Sequence, residues 1–389
     1  MNRELLASIE ALLPTVAEAA SEAERLRRPV DAVMEQLCET GVFRAFVPRR
    51  FGGLELDLET FVRIGMRLGE ACTSTAWVTT FCMEHNWLFA HFEPEAQQEV
   101  WGRQPWFLAP GTLSPNGHAE AVEGGFRLRG RWQWGTGVMH ADWVLLTGMV
   151  RPDEGAPPGP PDMRMFMLPR DAVTVEDTWH VDGMVATGSN DIVVDGAFVE
   201  ARYAQRIGPM GMGRSVGSEW HASPVFRLPM LPFKCITAAS PAVGAARRAV
   251  DLFRERAQSR TIMGSTQQQQ DLTAAQMRLG NLEVRVQMAE MLMVQTALDL
   301  ESLGEREAVT TAEERARLRL HCAHIVNQCR DIVRDAVEGS GASAHFLDHP
   351  LQRIHRDIHT LACHTVFDRD LGSEVYGQTL LGLTPSRPI

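Results

Sequence analysis

The chain has 389 residues, a formal net charge of −11, 44% hydrophobic and 22% charged residues, and seven cysteines. That length buries a large core in roughly two or three domains, and the acidic balance offers no basic surface to a nucleic acid. An odd cysteine count without a C-x-x-C pair argues against a disulfide framework or a structural zinc; the N-terminal MNRELLASIEALLP lacks a signal peptide's apolar core, and no apolar run reaches membrane-spanning length, so a reduced, cytoplasmic protein is expected.

Residues 1–106 read as a helical domain. PTVAEAASEAERLRRPVDAVMEQLCETG carries Val16, Val30, Val33 and Leu37 at helical spacing and stops at Gly41. VPRRFGG is a turn. DLETFVRIGMRLGEACTSTAWVTTFCMEHNWLFAHF is a second, longer helical region, apolar enough to be buried. From residue 107 the period changes. FRLRGRWQW alternates, DWVLLTGMV is a buried run, and MRMFMLPR, VTVEDTW and DIVVDGAFV follow at strand length, with RPDEGAPPGPP (151–161) as a loop between two of them. Residues 107–226 are therefore expected to form a small β domain that ends in a glycine-rich, mobile loop at 206–226. Residues 227–389 return to long helical segments, which suggests a four-helix bundle. The fold class is α+β, because the strand–helix alternation of a doubly wound sheet is missing.

All basic residues but one are arginine. Lys234 is the single lysine, so any ligand phosphate must be met by arginine, backbone N–H or hydroxyl. GMGRSVG (211–217) and EGSGAS (338–343) lack the spacing and the strand–helix context of a dinucleotide fingerprint, and there is no G-x-x-x-x-G-K-[ST] loop. Five of the thirteen histidines crowd into HFLDHPLQRIHRDIHTLACHTVFD: His345, His349, His355, His359 and His364. His355 and His359 share a helix face, but the glutamate of H-E-x-x-H is missing and Arg356 adjoins the first histidine. No metal site is expected.

Two stretches carry a family likeness. GGFRLRGRWQWGTGVMHADWVLLTG resembles the middle segment of the acyl-CoA dehydrogenase superfamily, and EGSGASAHFLDHPLQRIHRDIHTLACH resembles its C-terminal segment, a glycine turn followed by an Arg-Asp pair. GHAEAVEGGFRLRGRW, HADW and HPLQRIHRD are most similar to one branch, the oxygenase components of two-component, reduced-flavin-dependent monooxygenases. The resemblance implies a helical N-terminal domain, a β-barrel-like middle domain and a C-terminal four-helix bundle that assembles as a homotetramer. It also implies FMNH2 or FADH2 from a separate NAD(P)H:flavin reductase, O2 activated as a C4a-hydroperoxide, and a small aromatic substrate.

The likeness also implies roles. His364 matches a histidine on the substrate side, as base or hydrogen-bond partner; a buried histidine bonded to a carbonyl is the plain alternative. His85, with Trp77 eight residues earlier, matches a histidine near flavin C4a, and Trp77 is either a cavity wall or core. Thr136 matches the hydroxyl that contacts flavin N5, Trp134 the residue packed on the ring, and Thr112 and Ser114 the loop at the pyrimidine edge. Arg260 matches an arginine that reaches flavin phosphate, with Arg256 competing for that role, and Gly339 and Ser340 let backbone approach phosphate from a neighbouring subunit. Dehydrogenase relatives carry a catalytic glutamate where LACHTVFD stands here without a matching carboxylate, so oxygenation fits better than α-proton removal. The rivals are a true acyl-CoA dehydrogenase, an N-hydroxylase of an amine or amino sugar, and a helical scaffold that has lost its flavin.

Overall fold

The computed structural model describes residues 1–151 and 161–387, so the loop read at 151–161 lies almost wholly outside the described residues. The N-terminal domain holds α1 (Arg3–Leu26), α2 (Asp31–Glu39), α3 (Leu58–Ala71), α4 (Thr73–Phe89) and α5 (Pro94–Trp101). Local chemistry sets these boundaries. The Asn2 side chain caps α1, and Arg27 ends it in the left-handed conformation (φ 55°) two residues before Pro29, which cannot continue a helix. Asp57 caps α3 by accepting from Thr60 N–H at 2.8 Å. The apolar stretch read as one region divides at Cys72, whose extended backbone (φ −156°) separates α3 from α4.

Among the described residues, the middle domain forms one seven-stranded sheet: β1 (Gly111–Val122), β2 (Gly125–Gly135), β3 (Trp143–Val150), β4 (Met163–Pro169), β5 (Thr174–Glu176), β6 (Asn190–Glu200) and β7 (Ala204–Arg206). The order is β5-β6-β2-β1-β3-β4-β7, antiparallel throughout except for β1 beside β3. After α6 (Ile207–Gly211) and α7 (Val216–Glu219) come the long helices α8 (Met230–Ser259), α9 (Thr273–Glu305) and α10 (Ala312–Ser340), followed by α11 (Pro350–Ala362) and α12 (Arg369–Leu380). Helices α8, α9 and α10 pack on one another, and α11 and α12 pack on α10.

Two devices lock the domains together. Helices α3 and α8 cross at glycines: a Cβ on Gly69 would lie 2.4 Å from Pro241 O, and one on Gly244 1.9 Å from Met66 O. Only hydrogen side chains permit that approach. At the other end, buried Asp357 on α11 accepts from Met184 N–H at 2.6 Å, while its neighbour Arg356 donates to Asp182 O and pairs with Glu24 of α1, both at 2.6 Å. Burial pushes Asp357 up to about 7. The Arg-Asp pair thus ties α1, the middle domain and α11.

The segment 206–226 departs from the irregular, mobile loop expected of it. It forms α6, α7 and a 3₁₀ turn at Pro224–Arg227, and it is pinned to the N-terminal domain. Ser215 and Ser218 cap α7 reciprocally. His91 Nδ1 and Ser215 Oγ hydrogen-bond at 2.8 Å, and His221 Nε2–H donates to Gln97 Oε1 at 2.8 Å. A Cβ on Gly217 would lie 2.2 Å from Phe92 O. Glycine here serves close packing, which composition alone does not distinguish from flexibility. Desolvation first, then His221, push His91 down to about 3; desolvation, then Arg50, push His221 down to about 4.

Both histidines are neutral when folded and take up protons near 6.5 when unfolded, so the unfolded chain binds more protons below that pH. Their contribution to stability is complete above about pH 6.5 and falls steadily as pH drops toward 4. In His221→Gln the thermal midpoint should decline less between pH 6.5 and 4.5 than in the parent. Superimposable pH profiles would show that His221 is not held neutral by the fold.

Candidate active site

All 17 residues of α4 are buried. TSTAWVTTFCMEHNWLF is apolar on most of its circumference, as a helix enclosed on every side must be. At about 100° per residue, Trp77, Phe81, Glu84 and His85 fall on one face. Their rings form a row. His364, at the end of α11, lies 5.8 Å from Trp77 between ring centres, Trp77 lies 4.7 Å from Phe81, and Phe81 lies 5.6 Å from His85. Exposure falls along this row. His364 is open to solvent at a surface hollow of about 450 Å³ that it shares with Asn327, Arg330, Thr365 and Asp368. Trp77 and Phe81 are each 7% exposed, and His85 is 0% exposed. Three of the residues singled out in the sequence, His364, Trp77 and His85, thus belong to one continuous row of packed rings that runs from the surface to the core.

The two histidines present different atoms. His85 Nδ1–H donates to Ala109 O at 2.6 Å, which leaves Nε2 as a bare acceptor, buried and without a partner. Desolvation first, then the Lys234 charge, hold His85 well below the usual imidazole range. His364 accepts a long hydrogen bond, 3.4 Å, from Val366 N–H at Nδ1, so its Nε2 carries the proton. Its edge is accessible, yet protein crowds the ring; desolvation first, then Lys234, push it down to about 4. Of the two roles expected of it, base or hydrogen-bond partner, this arrangement favours the second. His364 is a neutral donor at Nε2.

The strands reach α4 at two points. Gly111, at the start of β1, lies against His85: a Cβ there would sit 2.8 Å from Nε2. The next residue, Thr112, is buried with its Oγ1 unpartnered, and Ser114 is exposed. The turn after β2 packs on α4 through Gly137, whose Cβ would meet Val78 Cγ1 at 3.0 Å. In that turn Trp134 is 58% exposed, with a left-handed backbone (φ 65°), and Thr136 Oγ1 hydrogen-bonds Ser189 Oγ at 3.0 Å. A large aromatic ring held out to solvent, beside hydroxyls and an orphaned buried threonine oxygen, is a donor set that fits the edge and face of a flavin ring.

Arg260, Gly339 and Ser340 form a separate cluster. Arg260 donates to Ser340 O at 3.1 Å, Arg256 donates to the same oxygen at 2.6 Å, and Gln269 donates to Gly339 O at 2.8 Å. These partners all belong to the C-terminal domain. His355 and His359 stack at 4.3 Å on α11, and among the described residues no three His, Cys, Asp or Glu side chains are grouped to hold a metal ion.

Two residues on the path escaped the sequence reading. Glu84 is fully buried on the α4 face and pairs with Lys234 of α8 at 2.9 Å. Their signals were a carboxylate inside an apolar helix and the chain's one lysine. The nearest carboxylate to His364 in sequence, Asp368, lines the same hollow and caps α12, its Oδ1 accepting from Leu371 N–H at 2.9 Å.

Comparison with known proteins agrees with this arrangement. Residues 3–104 match the model of the acyl-CoA dehydrogenase N-terminal domain, and residues 236–369 match that of the acyl-CoA dehydrogenase C-terminal domain. The chain is 31% identical to the flavin-dependent monooxygenase, oxygenase subunit HsaA, of Rhodococcus jostii, over 96% of this chain and 97% of that one. It belongs to the acyl-CoA dehydrogenase family. Within that family it is a flavin-dependent oxygenase component. It is similar also to the oxygenase component of p-hydroxyphenylacetate 3-hydroxylase of Acinetobacter baumannii (28% identity, 98% of this chain and 90% of that one). Among solved structures it superimposes on XiaF of Streptomyces sp. in complex with FADH2 and glycerol, with TM-score 0.91 and 29% identity over 99% of this chain and 97% of that one.

The contact between Gly111 and His85 gives a structural test of the site. Gly111→Ala drives a methyl group into a buried imidazole that has no room to yield, and should cost about 1–3 kcal/mol. Chemical denaturation measures this; an unchanged midpoint would mean that β1 does not press on His85.

Proposed function

We propose that the protein hydroxylates a small, electron-rich aromatic substrate of the phenol class with O2, using FMNH2 or FADH2 delivered by a separate NAD(P)H:flavin reductase. The observation that carries this reading is the path of rings from His364 through Trp77 and Phe81 to His85. Flat aromatic walls favour a flat aromatic guest over an amine or amino sugar. At this end of the site the ring of His364 stands against Trp77, and the nearby Asp368 is engaged through Oδ1 in capping α12.

A reduced flavin bound here supplies the activation of O2. Trp134, Thr136, Thr112 and Ser114 would hold its ring system, and Arg260 with the backbone of Gly339 and Ser340 would meet its phosphate from a neighbouring subunit. His85 offers an unpartnered acceptor at the dry end, where water is excluded by the burial of α4. His364 stays neutral, and its Nε2–H donates to an oxygen of the substrate, holding the ring against Trp77.

The test is incubation with chemically reduced flavin, labelled O2 and a panel of phenols, with product analysis by mass spectrometry. Labelled catechol-type product is expected, and none should form with NADH and oxidised flavin when the reductase is omitted. In His364→Ala, hydroxylation should fall about 10²-fold as the substrate loses its anchor, hydrogen peroxide should replace product, and flavin affinity should be unchanged. Normal hydroxylation by that variant would make His364 structural.

The same reading includes a homotetramer built through the C-terminal helices. Met277, Val284, Met288, Met291 and Leu298 form an exposed apolar stripe along α9, each more than a third exposed. Contiguous exposed apolar surface of this kind is covered in closed symmetric assemblies. Light scattering should give about four times the chain mass of 43.2 kDa; a monomer at micromolar concentration would refute the assembly.

A further inference from the structure

Lys234 is the single lysine of the chain, and it is 8% exposed. Its ammonium donates to Glu84 Oε2 at 2.9 Å and lies 5.4 Å from the centre of the Phe81 ring. An ammonium has three N–H donors, and Glu84 is the one hydrogen-bond partner of this one among the described residues. The other carboxylate oxygen, Glu84 Oε1, is buried without a partner, and so is His85 Nε2, 3.6 Å from Oε2. Buried ion pairs are tolerated where the remaining lone pairs and protons are satisfied. This pair leaves an acceptor and two donors open, beside the inner end of the row of rings formed by His364, Trp77, Phe81 and His85. The open groups are complementary to a hydroxyl: one oxygen to take its proton, and N–H groups to hold the oxygen left behind.

We propose that Glu84 and Lys234 form the inner subsite for the acidic hydroxyl of an aromatic substrate, Glu84 Oε1 taking the hydroxyl proton and Lys234 turning from the carboxylate to the resulting oxyanion. The proposal rests on the hydroxylase reading above and deepens it. The substrate O–H bond breaks with its electron pair left on oxygen, and a new O–H bond forms on Glu84; nothing is oxidised or reduced. One positive and one negative charge are present before and after the transfer, so the buried region never gains a net charge. A histidine acceptor would instead create a new imidazolium–phenolate pair in a desolvated space, which is costly. The groups around the transfer favour this direction. Desolvation raises the proton affinity of Glu84, while His85 and His364, the other titratable groups along the path, are both pushed down, with Lys234 contributing to each. The oxyanion left beside Lys234 is the more electron-rich form of the ring, the form that an electrophilic oxygen attacks.

The experiment uses the full-length, flavin-free chain and 4-nitrophenol, whose phenolate form absorbs in the visible. At a pH one unit below its free ionisation, 4-nitrophenol bound to the parent should show a phenolate-to-phenol ratio raised about tenfold or more over free ligand, the equivalent of one pKa unit. Its ionisation should release no proton to a pH indicator in weak buffer, because Glu84 retains it. Glu84→Gln should still bind the phenolate beside Lys234 but release one proton per ligand. The double variant Lys234→Met/Glu84→Gln removes both charges and leaves no orphaned ion to unfold the chain; it should bind the neutral phenol with its free ionisation constant. If the parent and the double variant bind 4-nitrophenol with the same phenolate-to-phenol ratio at that pH, the subsite is refuted while the aromatic reading stands. If the parent releases a full proton, Glu84 is not the acceptor. Failure of the parent to bind 4-nitrophenol at all would overturn the phenol reading of the function together with the subsite.

Discussion

Everything about the site follows from the enclosure of α4. A helix with no exposed residue cannot use solvent to satisfy a polar side chain, so each of its polar groups must find a partner inside the protein. Most of them do. Asn86 donates to Cys82 O and Phe107 O, both at 3.0 Å; Thr79 donates to the carbonyl of Thr75 at 2.8 Å; Trp87 Nε1–H donates to Val225 O at 2.7 Å. The bonds to Phe107 O and Val225 O fix the helix against the segment that leads into β1 and against the 206–226 segment. What remains unpaired is confined to Thr73 at the start of the helix and to the Glu84–His85 pair, where the ring path ends. A buried helix concentrates incompleteness in one spot, and that spot is where chemistry has something to act on.

The enclosure depends on the other domains. Helix α8 covers one side of α4 and can approach so closely because α3 and α8 cross at Gly69 and Gly244. The middle domain closes another side through Gly111 and Gly137, and the Arg356–Asp357 clamp keeps α11, and with it His364, in register with Met184. The dry end of the site is thus made by three domains, none of which forms it alone. That explains why an Arg-Asp pair distant from the reacting groups is as much a part of the site's construction as the histidines.

Much of the fold was legible in the sequence. The change from helical to alternating period near residue 107, and back before 235, locates β2 to β6 and the C-terminal helices, because amphipathic spacing follows directly from which face is buried; β1, where Thr112 and Ser114 were expected in a loop, was missed. The division of α3 from α4 was not legible, since a single extended residue at Cys72 leaves no periodic trace. Nor was the ordering of 206–226: glycine at 217 reads as freedom in a string of letters and as a tight contact with Phe92 O in space. For the site, His85, Trp77 and His364 were found because a family likeness pointed to them. Glu84 and Lys234 were visible as oddities, a carboxylate in an apolar run and a lone lysine, but the 150 residues between them hid that they answer one another. The depressed basicity of His364 was equally hidden, because it arises from packing and from a lysine on another helix.

The near-total use of arginine has one consequence for handling the molecule. Apart from the terminal amine, Lys234 carries the chain's only primary amine, and in the folded state that amine is engaged with Glu84 between α4 and α8. Amine-directed acylation, which scatters labels over most proteins, here has one internal address, sheltered until those two helices part. The extent of labelling at that address is therefore a clock for the opening of the core, and it reads the very interface on which the site is built.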